Sequence, residues 1–170
     1  MAIKHINVER CSVTTSKPFR EVIRVFDVAV GHPEMNTFRE NVAAAKTPAE
    51  LEKIVRAAIG PHEFMEFTRF DLGDVLRKRY GAEARQSLRL VLGNPLIMSQ
   101  MVEQVPDAGS YAPVTILIDE RQDGVHLTYD RMASFLAPYG NADALKVARE
   151  LDSKVEALLE VAAREKREGS

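Results

Sequence analysis

The sequence predicts an α+β protein in which helices pack on a mixed, largely antiparallel sheet of about four to five strands. Segments of β-prone and of helical periodicity follow one another without the regular strand–helix alternation that is typical of parallel sheets. Residues 114–129 encode two strands joined by a tight turn, and a long amphipathic helix runs toward the C-terminus. Since no linker, repeat or low-complexity tract interrupts these elements, we predict a single domain over residues 1–170.

Composition narrows the class of protein further. Hydrophobic residues make up 45% of the 170 positions and charged residues 28%, as in ordinary globular proteins. Twenty-three basic residues oppose twenty-five acidic ones, and this balance argues against a nucleic-acid-binding protein. No segment approaches the ~20 apolar residues needed to cross a bilayer. The single cysteine, Cys11, suits a reducing compartment. We therefore predict a soluble, cytoplasmic protein without nucleic-acid or membrane partners.

The first half of the chain predicts one strand and three helices. Residues 6–15 are β-prone, although a change of parity suggests a bulge or a late strand start. Residues 19–30 have helical spacing and end at Gly31. A helical patch over residues 37–46 precedes a second helix, which begins at a capping box over residues 47–50 and ends at Gly60. We predict that residues 35–60 form an inserted helical hairpin.

The second half predicts the rest of the sheet. Residues 62–70 favour a strand, with a helix as the alternative, and Asp71 is placed to cap a short helix that ends at Gly81. Residues 87–92 predict a strand, and Pro95 then opens a helix. The run over residues 114–118 is typical of a strand buried on both faces, and residues 125–129 alternate as its return strand.

Residues 70–162 resemble the domain of unknown function 302 family, and residues 8–30 fit the opening unit of this family more loosely. The features that carry the resemblance are the Asp71-Leu72-Gly73 turn, Leu92-Gly93-Asn94-Pro95 after a strand, the strand over residues 113–118 with its hairpin, and Tyr129-Asp130 before a short helix. The resemblance implies a small bacterial α+β protein, often a homodimer, with no established activity or cofactor. Residues 34–59 depart from the shorter form of this family.

The turn at Gly93 and Asn94 is the first candidate site. A strand that passes through these residues into a helix presents free backbone N–H groups and a partial positive charge, which suit a small anion. The alternative is structural: Gly93 allows the turn, Asn94 caps the helix and Pro95 begins it.

His126, Tyr129 and Asp130 form the second candidate site. Strand alternation places His126 on the face away from the main core and Tyr129 on the opposite face. His126 could carry a proton or bind a ligand there, and the alternative is an exposed histidine without a role. Asp130 is predicted to cap the helix that begins near Arg131.

Three hypotheses about function follow. The first is a non-catalytic module that binds a small anionic ligand through Gly93, Asn94, His126 and Tyr129. The second is an enzyme that uses His126, Tyr129 or Tyr139 in proton transfer. The third is a structural homodimer, because the final helix carries an apolar stripe wider than one small sheet can cover. The sequence contains no recognisable catalytic motif, and we predict neither a metal site nor a cofactor.

Overall fold

The structure is a computed structural model that describes residue 1 and residues 3–165. In these residues the strands are β1 (Arg10–Thr15), β2 (Met65–Asp71), β3 (Ser87–Gly93), β4 (Val114–Arg121) and β5 (Gly124–Asp130). The helices are α1 (Phe19–Ala29), α2 (Met35–Ala44), α3 (Pro48–Ala58), α4 (Leu72–Tyr80), α5 (Pro95–Gln104), α6 (Met132–Leu136) and α7 (Ala142–Ala163). None of these helices is both long and apolar enough to cross a membrane.

The five strands form one open sheet in the order β1-β5-β4-β3-β2, and every neighbouring pair is antiparallel. The predicted α+β class, the β4–β5 hairpin and the long final helix are confirmed. The predicted first strand starts late, at Arg10. The helical alternative for residues 62–70 is wrong, because β2 pairs with β3 over this segment. A parallel contact is seen in the described chain as an isolated bridge between Gly31 and Met65.

One face of the sheet holds the main core. Helices α1, α5, α6 and α7 cover this face with apolar side chains such as Phe26, Met101 and Leu158. On β4, Ile116 and Ile118 are fully buried under them. The prediction that residues 114–118 are buried on both faces is wrong: Thr115 and Leu117 point to the other face and are only half-buried. Strand alternation produces this difference, because the helices of the main core lie on one side only.

The predicted helical hairpin is formed by α2 and α3, which pack on a second, smaller core around Phe38, Val55, Ala58 and Met65. Two glycines at the base of the hairpin allow two backbone segments to approach each other closely. A Cβ atom on Gly31 would lie 1.9 Å from the carbonyl oxygen of Ala58, and one on Gly60 would lie 2.4 Å from the carbonyl carbon of Val30. Both glycine N–H groups donate to the carbonyl oxygen of Phe64, which joins the hairpin to the start of β2.

Candidate binding groove on the uncovered face of the sheet

The face of the sheet opposite the main core carries polar side chains arranged in rows across the strands. The strand register places Ser12, Thr128, Leu117 and Arg89 in one row, and Arg10 and Asp130 beside Thr115 in the row next to it. Side chains that lie opposite each other on neighbouring strands share a face and are close enough to interact. The uncovered face is therefore an ordered polar surface.

A groove of about 500 Å³ lies on this face. Its lining combines three arginines, three hydroxyl side chains, one carboxylate and two apolar side chains: Arg10, Arg89, Arg121, Ser12, Thr115, Thr128, Asp130, Leu117 and Phe135. Val114 also borders the groove, but its side chain belongs to the main core. The basic side chains outnumber the acidic one, so the groove has a positive electrostatic character although the whole chain has a formal charge of -2.

The three arginines of the groove differ in their partners. Arg10 donates from Nε and Nη2 to the two carboxylate oxygens of Asp130, at 2.6 and 2.8 Å. Arg121 makes the same kind of forked contact with Asp119, at 2.7 and 3.1 Å. Arg89 donates only to the hydroxyl of Thr115, at 3.3 Å. Among the described residues, Arg89 has no carboxylate within ion-pair distance, and its guanidinium is free to bind an external anion.

His126 lies on the same face of the sheet but does not line the groove. It is 9% exposed. Its Nε2 atom lies 2.9 Å from a carboxylate oxygen of Asp123, and its Nδ1 atom lies 3.3 Å from the hydroxyl of Thr14. The hydrogen bond with His126 lowers the pKa of the Asp123 carboxyl. The predicted orientation away from the main core is confirmed.

Tyr129 lies on the opposite face, inside the main core, where it is 1% exposed. Its hydroxyl donates to Asp152 at 2.6 Å, and Asp152 is itself 4% exposed. Burial and the nearby Asp152 carboxylate raise the pKa of Tyr129, so the phenol stays a hydrogen-bond donor. The sheet therefore separates Tyr129 from His126.

Asp152 also caps α6. Its carboxylate accepts from the backbone N–H groups of Met132 and Ala133, at 2.7 and 3.0 Å. The prediction that Asp130 caps this helix is wrong, because Asp130 is engaged by Arg10 on the uncovered face. Strand alternation turns the Asp130 side chain away from the helix, and a residue of α7 takes its place.

Gly93 and Asn94 form the predicted turn between β3 and α5. The side chain of Asn94 accepts from the N–H of Leu96 and donates to the carbonyl oxygen of Glu63, both at 3.0 Å. The cavity beside this turn has a volume of about 10 Å³, close to the minimum for one water molecule. The capping alternative therefore accounts for the geometry of Asn94. A ligand-binding role for Gly93 and Asn94 stays a prediction that this geometry does not favour.

Tyr139, the third group of the proton-transfer hypothesis, lies between α6 and α7. Its hydroxyl is 2.9 Å from the hydroxyl of Tyr111, and this hydrogen bond raises the pKa of Tyr139. The amino group of Lys4 lies 3.5 Å from the centre of its ring. His126, Tyr129 and Tyr139 thus occupy three separate environments with different hydrogen-bond partners.

Two larger hollows are less suited to an anion. One of about 1030 Å³ is lined by four arginines and four carboxylates, so its positive charge is balanced: Arg20, Arg24, Arg69, Arg77, Asp27, Asp71, Glu83 and Glu120. One of about 640 Å³ between α2 and α3 is lined by seven apolar residues among twelve and contains no arginine. Within the described residues, no group of His, Cys, Asp or Glu side chains is arranged to hold a metal ion.

The arginines of the groove were missed in the sequence-based list of candidate residues. Arg89 interrupts an apolar strand segment, Leu88-Arg89-Leu90, and its parity places it on the same face as Thr115. That alternation was the available signal. The convergence of Arg10, Arg89 and Arg121 could not be deduced from it, because the three residues come from three strands.

The fold and the groove define an α+β protein whose open antiparallel sheet is covered by helices on one face and carries a basic groove on the other. The family model described as "Domain of unknown function DUF302" matches residues 38–162, and the chain belongs to this family. The match starts within α2, so it is longer than the predicted resemblance over residues 70–162.

A solved structure shows the same fold. It is described as "Crystal structure of uncharacterized conserved protein DUF302 from Bacillus stearothermophilus" and has a TM-score of 0.61 and 11% identity to this chain. The comparison covers 91% of this chain and 98% of the other. At this identity the similarity concerns the fold alone. No curated protein sequence matches the chain.

Proposed function

We propose that the protein is a non-catalytic, cytoplasmic binding module whose small anionic ligand occupies the groove on the uncovered face of the sheet. The observation that carries the proposal is the Arg89 guanidinium, which lines the groove without a carboxylate partner among the described residues. Guanidinium groups bind phosphate and carboxylate oxygens through planar, forked hydrogen bonds. The proposal keeps the predicted ligand class and moves its site from Asn94 to Arg89.

The surroundings of Arg89 support this function. Arg10 and Arg121 add positive charge, and the hydroxyls of Ser12 and Thr128 can donate further hydrogen bonds to an anion. The volume of about 500 Å³ lies within the range of small-molecule sites. Since these side chains project from paired strands, the backbone positions that carry them are fixed before a ligand binds, which lowers the entropic cost of binding.

Inorganic phosphate is a suitable first probe. Phosphate should raise the melting temperature of the wild-type protein above that in chloride of equal ionic strength. For a dissociation constant of about 1 mM, about 10 mM phosphate stabilises the folded state by about 1.4 kcal/mol, or roughly 3–5 °C. Arg89→Gln should remove this increment, because the neutral amide cannot form the charged fork.

Arg149→Gln is the matched control. Arg149 is exposed on α7, which packs on the opposite face of the sheet, so its substitution should preserve the phosphate increment. Equal phosphate stabilisation of the wild type and the Arg89 variant would contradict the proposal, because it would reflect the general effect of phosphate on protein burial.

A second candidate function is assembly into a homodimer through β2. This strand is at the edge of the sheet, and the exposed side chains of Phe70, Leu72 and Val75 lie on it and on the adjoining α4. Free strand edges and exposed apolar patches are typical of association surfaces. A twofold axis at Phe70 would place Arg69 of each copy opposite Asp71 of the other, with charges that attract.

A further inference from the structure

From the arrangement of the groove, we infer that its ligand is an amphipathic anion: a phosphate or carboxylate group that carries an apolar chain or ring. This inference rests on the proposed function. It is carried by the lining of the groove, in which the uncompensated Arg89 guanidinium and the half-buried apolar side chains of Leu117 and Phe135 border the same space. A ligand that fills the groove must therefore contain both an anionic and an apolar part.

The strand register and one hydrogen bond place the charged group within the groove. Arg89 is paired with Leu117, in the middle of β4. Its Nη2 atom donates to the hydroxyl of Thr115, two residues nearer the start of β4, at 3.3 Å. An anionic group at this guanidinium therefore lies beside Thr115. The remainder of the groove, which Leu117 and Phe135 help to line, is left for an apolar arm.

The groove also has an aromatic surface. Phe135 of α6 lines the groove and is half-buried. Its ring stacks on Tyr111, with ring centres 4.7 Å apart and planes inclined by 14°, so it is a supported aromatic surface. The charge of Arg10, on β1, is compensated by Asp130 of β5. Apolar contact is consequently the interaction that Phe135 and Leu117 offer to a ligand.

The inference is tested by titrating the protein with methyl phosphate and with octyl phosphate in an isothermal titration calorimeter. Both ligands are kept below the concentration at which octyl phosphate forms micelles. Octyl phosphate should bind roughly tenfold tighter or more, because burying only a few methylene groups supplies that factor. Phe135→Ala should reduce this preference and leave the affinity for methyl phosphate unchanged. Arg89→Gln should weaken both ligands.

Two further variants keep the test independent of folding. Leu117→Thr replaces an apolar side chain of the groove with a polar, β-branched one that suits a strand, and it should also reduce the preference for octyl phosphate. Tyr80→Ala changes an exposed aromatic residue outside the groove and should reduce neither affinity. Melting curves identify any variant that is not folded.

The outcomes separate the two proposals. Equal, Arg89-dependent affinities for methyl and octyl phosphate would overturn the amphipathic ligand and leave the anion site standing. A preference for octyl phosphate that Phe135→Ala and Leu117→Thr do not change would also overturn it. Binding that Arg89→Gln does not weaken would contradict the proposed function itself. Co-sedimentation with phosphatidylglycerol vesicles that depends on Phe135 would replace the small ligand with a membrane surface.

Discussion

At the scale of single residues, Asp152 connects three elements of the main core. Its carboxylate accepts the hydroxyl of Tyr129 from β5 and two backbone N–H groups at the start of α6, while its own backbone belongs to α7. Burial raises the pKa of the Asp152 carboxyl, although these hydrogen bonds oppose the shift. A carboxyl group buried under such contacts is suited to fixing the position of α6 against the sheet.

The hydroxyl of Tyr129 should contribute to the stability of the folded protein. Tyr129→Phe removes a buried donor and leaves one oxygen of Asp152 with fewer partners, at a cost of about 1–3 kcal/mol. Urea denaturation of both proteins measures the free energy of unfolding. Tyr139→Phe is the matched control, because its hydroxyl is more accessible to water, and this variant should unfold like the wild type. Equal destabilisation by the two substitutions would refute the structural role of the Tyr129–Asp152 contact.

Arg89 illustrates how the role of a residue depends on its neighbours. In the sequence it is one of 23 basic residues and is indistinguishable from a solvated surface charge. Arg89 belongs to β3, which lies between β2 and β4 in the sheet. This position brings Arg89 near Thr115 and into a groove with two other arginines. The difference between a surface charge and a binding residue lies in that convergence.

At the scale of elements, the α2–α3 hairpin shows how local capping and packing act together. Glu34 caps the start of α2, and its carboxylate accepts hydrogen bonds from the N–H groups of Asn36 and Thr37. Thr47 caps α3 through the N–H of Glu50, as the capping-box pattern predicts. These contacts satisfy backbone donors that a helix leaves unpaired at its start.

The cap at Glu34 should make α2 sensitive to acid. Hydrogen bonds from Thr37 and Asn36 lower the pKa of Glu34 from 4.5 to about 2. Because the folded pKa lies below the unfolded value, the stabilisation is present above about pH 4.5 and is lost progressively as the pH falls toward 2. We expect Glu34→Gln to weaken hydrogen-exchange protection of α2 at neutral pH, and the difference from the wild type to shrink as the pH falls.

Glu40→Gln is the control for this effect, since Glu40 is an exposed residue within α2 rather than at its start. It should leave the protection of α2 close to that of the wild type. A difference between Glu34→Gln and the wild type that stays constant down to pH 2 would contradict the proposed role of the ionised carboxylate.

In the whole molecule, the apolar stripe of α7 is buried by other parts of the same chain. Leu151, Val155, Leu158 and Leu159 are buried against the main core, where α1, α5 and α6 also pack. The sequence-based argument for a homodimer assumed that one small sheet could not cover this stripe. The structure removes that argument, because neighbouring helices as well as the sheet cover α7. The edge of β2 is a better basis for the homodimer, which remains a proposal.

Light scattering after gel filtration should report about twice the chain mass of 19.0 kDa if the β2 edge forms a homodimer. Phe70→Lys should shift the protein toward the monomer, because it places like charges near the twofold axis. Val161→Lys is the control, since Val161 is also exposed but belongs to α7. A wild-type monomer at micromolar concentrations, or a dimer that Phe70→Lys leaves intact, would refute this interface.

Local sequence patterns are sufficient to predict the order and type of most elements. Helix starts at Thr47 and Asn94, the β4–β5 hairpin and the amphipathic α7 all follow from patterns a few residues long. Strand parity also separated His126 from Tyr129 correctly, because alternation is a local property of the backbone. The prediction that residues 114–118 are buried on both faces of the sheet is wrong, because a local pattern does not show which face of a sheet the helices will cover.

Contacts between residues far apart in the chain could be recognised only in the folded protein. Asp152 accepts a hydrogen bond from the N–H group of Met132, which lies 20 residues away in the sequence. Arg10 lies 120 residues away from its partner Asp130. The groove likewise depends on strand order, which places β5 between β1 and β4 and brings Arg10, Arg89 and Arg121 to one face. Strand order results from packing the whole chain around a common core. The candidate site is therefore a property of that packing and not of any single segment.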